Sequence, residues 1–291
     1  MVPAVIAISE PRTFPARRIF IYWKQSKEPD RAAAAPATTS DPMALVTLRT
    51  PTSLDLPPGF RAVALRESGD AFAHACRTAA DEGAGTLVWV RRFDVAEFAV
   101  ILEPEAPLAE ARKTLFMGMS ATADAIAALC PPERPVTIAY PDTIRFDGGL
   151  VGGGRLGWPK RCGEDAVPDW LVFAATVRVS FAGTVEPGQA PTAAALDEEG
   201  FEGGGPAMLI ESFARFFLRA VDSWQHLGFA PVVTDYLNRL GKDRPGDTLS
   251  LSPAGDLIVR PAVGDLERRL SLVDGLKAVA WLDRESGGPK L

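Results

Sequence analysis

The residues with the clearest chemical potential lie between Tyr140 and Lys160, in YPDTIRFDGGLVGGGRLGWPK. Asp142 supplies a carboxylate, and Arg155 and Lys160 supply cations. Gly152, Gly153 and Gly154 stand where an ordinary strand would carry side chains, so another backbone or a ligand can approach closely. Arg91 and Arg92 end an apolar run, TLVWVRR, and add two further cations. Fixed cations beside a gap in a sheet suit an anionic guest, because guanidinium groups bind carboxylate and phosphate in a two-pronged fashion. The glycines match no familiar nucleotide loop. No G-x-G-x-x-G opens a helix, and no Gly-Lys-Ser/Thr follows.

The elements that must carry these residues follow from periodicity. Ile144 to Phe146 and Leu150-Val151 are extended, and Asp147-Gly148 between them favours the positive φ angles of a two-residue hairpin turn. Ala62–Leu65, Thr86–Arg92, Glu97–Leu102 and Trp170–Phe181 read as strands, with a short turn of Phe93 to Ala96. Ser68 is the expected N-cap of a helix through Ala80, with Phe72, Ala75, Cys76 and Ala79 on one face. Pro107 opens a long helix to about Leu129, with Leu108, Ala111, Leu115, Met119, Ala123 and Ile126 inward. Pro206 opens another to Leu227, with Leu209, Phe213, Phe216, Ala220 and Trp224 inward, and a shorter helix runs from Val232 to Leu240. From Asp247 the pattern switches to short strands, a small and barrel-like β unit. Hairpins outnumber βαβ units, so the sheet should be mainly antiparallel, in an α+β domain.

Composition excludes several classes. The 291 residues carry a net charge of -6, which argues against a primary nucleic-acid partner. No apolar run approaches the roughly 18 residues of a membrane span. The three cysteines are widely spaced with no CxxC, in keeping with a reduced, cytoplasmic protein. With two histidines, neither a zinc site nor a histidine-based triad is expected. The acidic run Asp197–Glu199 reads as solvated surface. Residues 1–42 lack periodicity and read as an extension, with Met43 the expected true start. That leaves a main domain over 43–245 and a small β domain over 246–291.

The order of motifs from about Ala62 to Leu272 resembles the biotin/lipoate protein ligase family. YPDTIRFDGGLVGGGRL is similar to that family's Trp-Pro-Asn-Asp hairpin, with Pro141, Asp142 and Gly153 fitting the pattern. WLVFAATVRV stands where the family has a strand ending Gly-Ile-Asn. LIESFARFFLRAVDSWQHLGFAPVVTDYLNRL resembles its helix pair. The resemblance implies a class II aminoacyl-tRNA synthetase/biotin synthetase-like fold: a mainly antiparallel sheet backed by helices, with an SH3-like unit following. It implies ATP and biotin or lipoate as ligands, and a biotinyl or lipoyl acceptor domain as partner. Ligand contacts would fall to Arg91, Arg92, Asp142, Gly152, Gly153, Gly154 and Arg155. The sequence also departs from the family. The glycine-rich phosphate loop is missing after Arg92, and the hairpin lysine is replaced by Leu150, or by Gly149 with a one-residue slip. Either loss weakens stabilisation of a phosphoryl-transfer charge, each such contact contributing about 3 kcal/mol. The expectation is therefore a divergent ligase, or a ligand- or partner-binding module on the same scaffold. GGGRLGWPK separately resembles the acetoacetate decarboxylase family, in which Lys160 would be a catalytic Schiff-base lysine. Cys162, beside Lys160 and Arg161, is a further candidate thiol.

Overall fold

The computed structural model describes residues 53–181, 190–201, 205–241, 244–264 and 266–291. The extension assigned to residues 1–42 lies outside them, as does most of the second glycine cluster.

The first strand, β1 (Arg61–Leu65), leads into α1 (Ala71–Glu82). The cap is Asp70 rather than Ser68: its side chain accepts from the Ala73 N–H, and its backbone is extended. An aspartate one residue before the helix outcompetes the earlier serine for the free N–H groups of the first turn. Strands β2 (Thr86–Val90) and β3 (Val95–Leu102) follow, fully buried along their lengths. The turn between them is Arg91 to Asp94, two residues earlier than periodicity suggests. The Asp94 carbonyl accepts from Val179 and Ser180 N–H, tying the turn down and letting pairing begin at Val95.

The long helix expected after Pro107 is divided into α2 (Leu108–Ala111) and α3 (Thr114–Ala127). Nearly every side chain of α3 is buried, as expected for a helix apolar all round. It packs on the sheet beside the pair α4 (Pro206–Leu227) and α5 (Ala230–Arg239), which flank it. Phe213 and Phe217 of α4 face the sheet with Phe98 and Phe173, at ring separations of 4.4 to 6.2 Å. Phe216, read as inward from the sequence, is half-buried beside them.

The hairpin region forms β4 (Val136–Ala139), β5 (Thr143–Phe146) and β6 (Gly149–Gly157), and β7 (Leu171–Arg178) closes the sheet. The strand order is β1-β2-β3-β7-β6-β5-β4. β1 pairs parallel with β2, and every other pair is antiparallel. The β5–β6 turn is the one expected, with Asp147 at φ +47° and Gly148 at φ +85°. Beyond α5, β8 (Thr248–Leu251), β9 (Leu257–Arg260) and β10 (Arg268–Leu270) make a separate antiparallel sheet. A helix not foreseen in the sequence, α6 (Leu272–Ala278), follows, capped by Ser271.

One face of the large sheet is covered by α3 and α4. On the other, α1 packs Ala71, Ala75 and Ala79 against Val88, Val90, Ala99, Ile101, Val172 and Ala174. That second face positions the candidate site.

Candidate functional site

Strand register places the site residues in rows across the second face. Glu97 of β3 pairs with Thr176 of β7, Thr176 with Gly153 of β6, and Gly153 with Thr143 of β5. One row along, Ala99, Ala174 and Arg155 lie in line. The opposite neighbouring row holds Val95 and Arg178. Side chains alternate between sheet faces, so Glu97, Thr176, Arg178, Gly153 and Arg155 share this face with α1.

Glu97 is buried, and its carboxylate accepts from the Ala71 N–H, 2.8 Å away, at the start of α1. Burial pushes its pKa upward, partly offset by that N–H. The Arg155 guanidinium lies 4.2 Å from the centre of the Phe72 ring and 3.5 Å from Asp70. Its Nε is buried without a hydrogen-bond partner. Cys76 of α1, whose Sγ lies where a Gly157 side chain would begin, has its thiol pushed up to about 11 by burial.

Asp142 lies at the start of β5 and is 2 % exposed. Oδ1 accepts from the Thr143 hydroxyl at 3.3 Å, while Oδ2 is buried and unpartnered. Burial raises its carboxyl to about 7, against the weaker pull of Thr143, its own backbone N–H and the nearby Trp281 indole, whose N–H is committed to the Gly154 carbonyl.

The open gap expected beside the three glycines is not there. A side chain on Gly152 would strike the β7 backbone at Thr176, and one on Gly154 would strike Met119 Sδ and the Phe173 ring on the opposite face. Gly153 alone belongs to the candidate site, and Trp281 covers it. The indole lies where a Gly153 Cβ would be 2.5 Å away, and its Nε1 donates to the Gly154 carbonyl at 3.2 Å. Trp281 belongs to a terminal hairpin in which Lys290 N–H bonds the Trp281 carbonyl. Arg178, 5 % exposed, holds the same hairpin. Its Nη2 donates to the Pro289 and Lys290 carbonyls at 2.6 and 2.9 Å, and its Nη1 to the Leu150 and Ala194 carbonyls.

The remaining sequence candidates are spread more widely. Arg92 is half-buried and bound through two nitrogens to Asp94, at 2.9 and 2.5 Å. Arg91 lines an open cleft of about 560 Å³ with Arg66, Glu67 and Ser68, at the carboxyl ends of β1 and β2. Lys160 is exposed in the turn after β6, and Cys162 is half-buried nearby, its Sγ 3.5 Å from the Ala166 carbonyl. The structure thus brings Arg155 and Gly153 to one face, sets Asp142 beside Gly154, whose N–H bonds the Asp142 carbonyl, and leaves Lys160 at the surface. Glu97, Thr176, Arg178 and Trp281 were not singled out from sequence. The buried run VAEFAVIL, with one acid among apolar residues, was a readable signal for Glu97. Among the described residues no group of three His, Cys, Asp or Glu could hold a metal ion, and no helix is long and apolar enough to cross a membrane.

Known proteins share this helix-backed mixed sheet with α1 across its second face. The sequence profile of the biotin/lipoate A/B protein ligase family matches residues 56–238, and the chain belongs to that family. A biotin–[acetyl-CoA-carboxylase] ligase of Paracoccus denitrificans is 26% identical over 180 residues, 60% of this chain and 72% of that protein. Among solved structures, a biotin protein ligase-like protein of unknown function from Silicibacter sp. TM1040 superposes with a TM-score of 0.65 at 24% identity. The match covers 77% of this chain and 99% of that one. The biotin protein ligase of Aquifex aeolicus, solved with biotin and ATP, gives 0.55 at 13% identity, covering 72% and 94%. At these identities the structural matches speak for the fold.

Proposed function

We propose that the protein binds a small carboxylate of the biotin, lipoate or octanoate type on the α1 face of its sheet, without activating it through ATP. The observation that carries the binding half is the pair of orphaned polar atoms flanking Gly153. Arg155 Nε and Asp142 Oδ2 are both buried and unbonded. Buried polar atoms are nearly always satisfied, so two in one strip mark where a polar guest belongs. Family membership, and relatives named for biotin, favour an acyl or biotin-like guest.

Activation needs positive charge around a transferring phosphoryl group. The β2–β3 turn holds four residues, its Arg92 is committed to Asp94, and a buried Leu150 stands where the resemblance calls for lysine. With those cations spent or missing, the scaffold is better suited to holding a guest than to adenylating it. A biotinyl or lipoyl acceptor domain is then the class of protein partner to test.

Calorimetric titration of the full chain with biotin, lipoate and octanoate, alongside ATP–pyrophosphate exchange, tests the reading. Saturable binding of one carboxylate with no exchange is expected. Exchange stimulated by any of the three would establish a ligase instead, and absence of binding by all three would remove the ligand-binding reading.

A further inference from the structure

The terminal hairpin raises a separate question. Arg178 is a buried cation whose four hydrogen bonds all end on backbone carbonyls. Its other close partner is the Phe181 ring, 4.9 Å away. Carbonyls satisfy the N–H groups but leave a full positive charge unneutralised in a place that disfavours charge. A carboxylate would satisfy the same N–H groups and cancel the charge, and a guanidinium edge fits it in geometry as well.

The two carbonyls on Nη2 come from the hairpin, whereas those on Nη1 come from the body of the fold. Beyond the buried Trp281 and Pro289 side chains, few hydrogen bonds hold the hairpin to the sheet. Of the hairpin's remaining backbone hydrogen bonds, Leu282 N–H bonds the Val279 carbonyl just before the hairpin, and the others are internal: Asp283 with Gly288, Gly287 with Asp283 and Lys290 with Trp281. Among the described residues, its hydrogen bonds to the sheet are those of Trp281 Nε1 and Arg178 Nη2. Residues 284–287 at its tip are exposed. Meanwhile Trp281 fills a flat slot over Gly153, against the Asp142 carbonyl. The space the indole occupies is that of a fused two-ring system, and it lies one row from Arg178 on β7.

We infer that the hairpin Trp281–Lys290 is a displaceable occupant of the candidate site, and that Arg178 Nη2 takes the guest's carboxylate when the hairpin leaves. Trp281 stands in for the ring or chain of the guest, and the Pro289 and Lys290 carbonyls stand in for its carboxylate oxygens. The guest is therefore a carboxylic acid bearing a compact ring or acyl chain, and its affinity is reduced by the fraction of time the hairpin is closed. The inference rests on the ligand-binding reading above.

The test uses the full chain, biotin and octanoate as probes, and the variant Asp283→Ala. Asp283 is in the exposed turn, where its carboxylate accepts from Glu285 N–H, Ser286 N–H and the Ser286 hydroxyl, so its loss loosens the hairpin without touching the sheet. The variant should bind at least one probe about tenfold more tightly than the parent chain. In the parent, saturating probe should speed hydrogen exchange at the Trp281 indole N–H, which the Gly154 carbonyl holds while the hairpin is closed. Adding Arg178→Lys to the loosened chain, which keeps the charge but loses the fork, should reverse the gain. Equal affinity in parent and variant, with the Trp281 indole N–H still protected at saturation, would overturn the inference and leave the ligand-binding reading standing. Failure of both chains to bind either probe would overturn both.

Discussion

Asp142 is the residue whose chemistry responds most directly to conditions. Burial holds its carboxyl near 7, well above the ordinary 3.8. The fold therefore favours the protonated form. Its contribution to stability is complete at acidic pH and is lost as pH rises through about 7. Replacing Asp142 with Asn should flatten the fall in melting temperature between pH 5 and pH 8. Binding follows the same sign. Below pH 7 a neutral Asp142 no longer repels a carboxylate guest, so octanoate or biotin should bind more tightly at pH 6 than at pH 8, and Asp142→Asn should remove most of that difference. A Kd independent of pH in the parent chain would place the guest away from Asp142. Asp142 and Gly153 were legible in sequence because a proline, an acid and a glycine run are local signals. Trp281 and Arg178 were not, since a tryptophan in a polar tail and an arginine in an apolar strand reveal their roles only once strands far apart in sequence are aligned.

At the scale of elements, alternation and 3.6-residue spacing placed the strands and helices, and the errors have physical causes. Asp70 displaced Ser68 as cap, the β2–β3 turn moved to meet β7, and the α2–α3 break falls where Arg112 and Lys113 reach out to Glu164 and Glu110. The glycine-rich strand shows the limit most clearly. Its spacing read as room for a ligand, yet Gly152 and Gly154 are there for close packing against neighbouring strand and helix. Gly118 of α3 plays the same part from the helix side, since a side chain there would fall 2.3 Å from the Phe173 ring. Because Phe173 is itself locked against Phe213 and Phe217, the ring cannot yield freely. Gly118→Ala should therefore cost about 1–3 kcal/mol of unfolding free energy, although alanine is the better helix former. Chemical denaturation of the variant reads this directly.

At the scale of the whole molecule, the small C-terminal unit is joined to the main sheet around the β4–β5 turn. Tyr140 donates its hydroxyl to the Gly255 carbonyl, Gly275 of α6 packs on Pro141, and Trp281 completes the seam over Gly153. Trp281→Ala should lower stability by about 3–5 kcal/mol if the two units unfold together, as a fully buried aromatic usually does. A separate early transition for the C-terminal unit, with the main sheet unchanged, would show instead that the seam is weak.

The sheet order also bears on how the chain is made. β3 finds its central neighbour in β7, after the whole stretch from Glu103 to Trp170 has intervened. On a ribosome adding about 5–20 residues per second, β2 and β3 emerge several seconds before that partner. Two largely apolar strands must wait through the interval with an unpaired edge, so nascent chains should depend on a holding chaperone most at the moment when translation has passed Leu102 and has not yet reached Leu171.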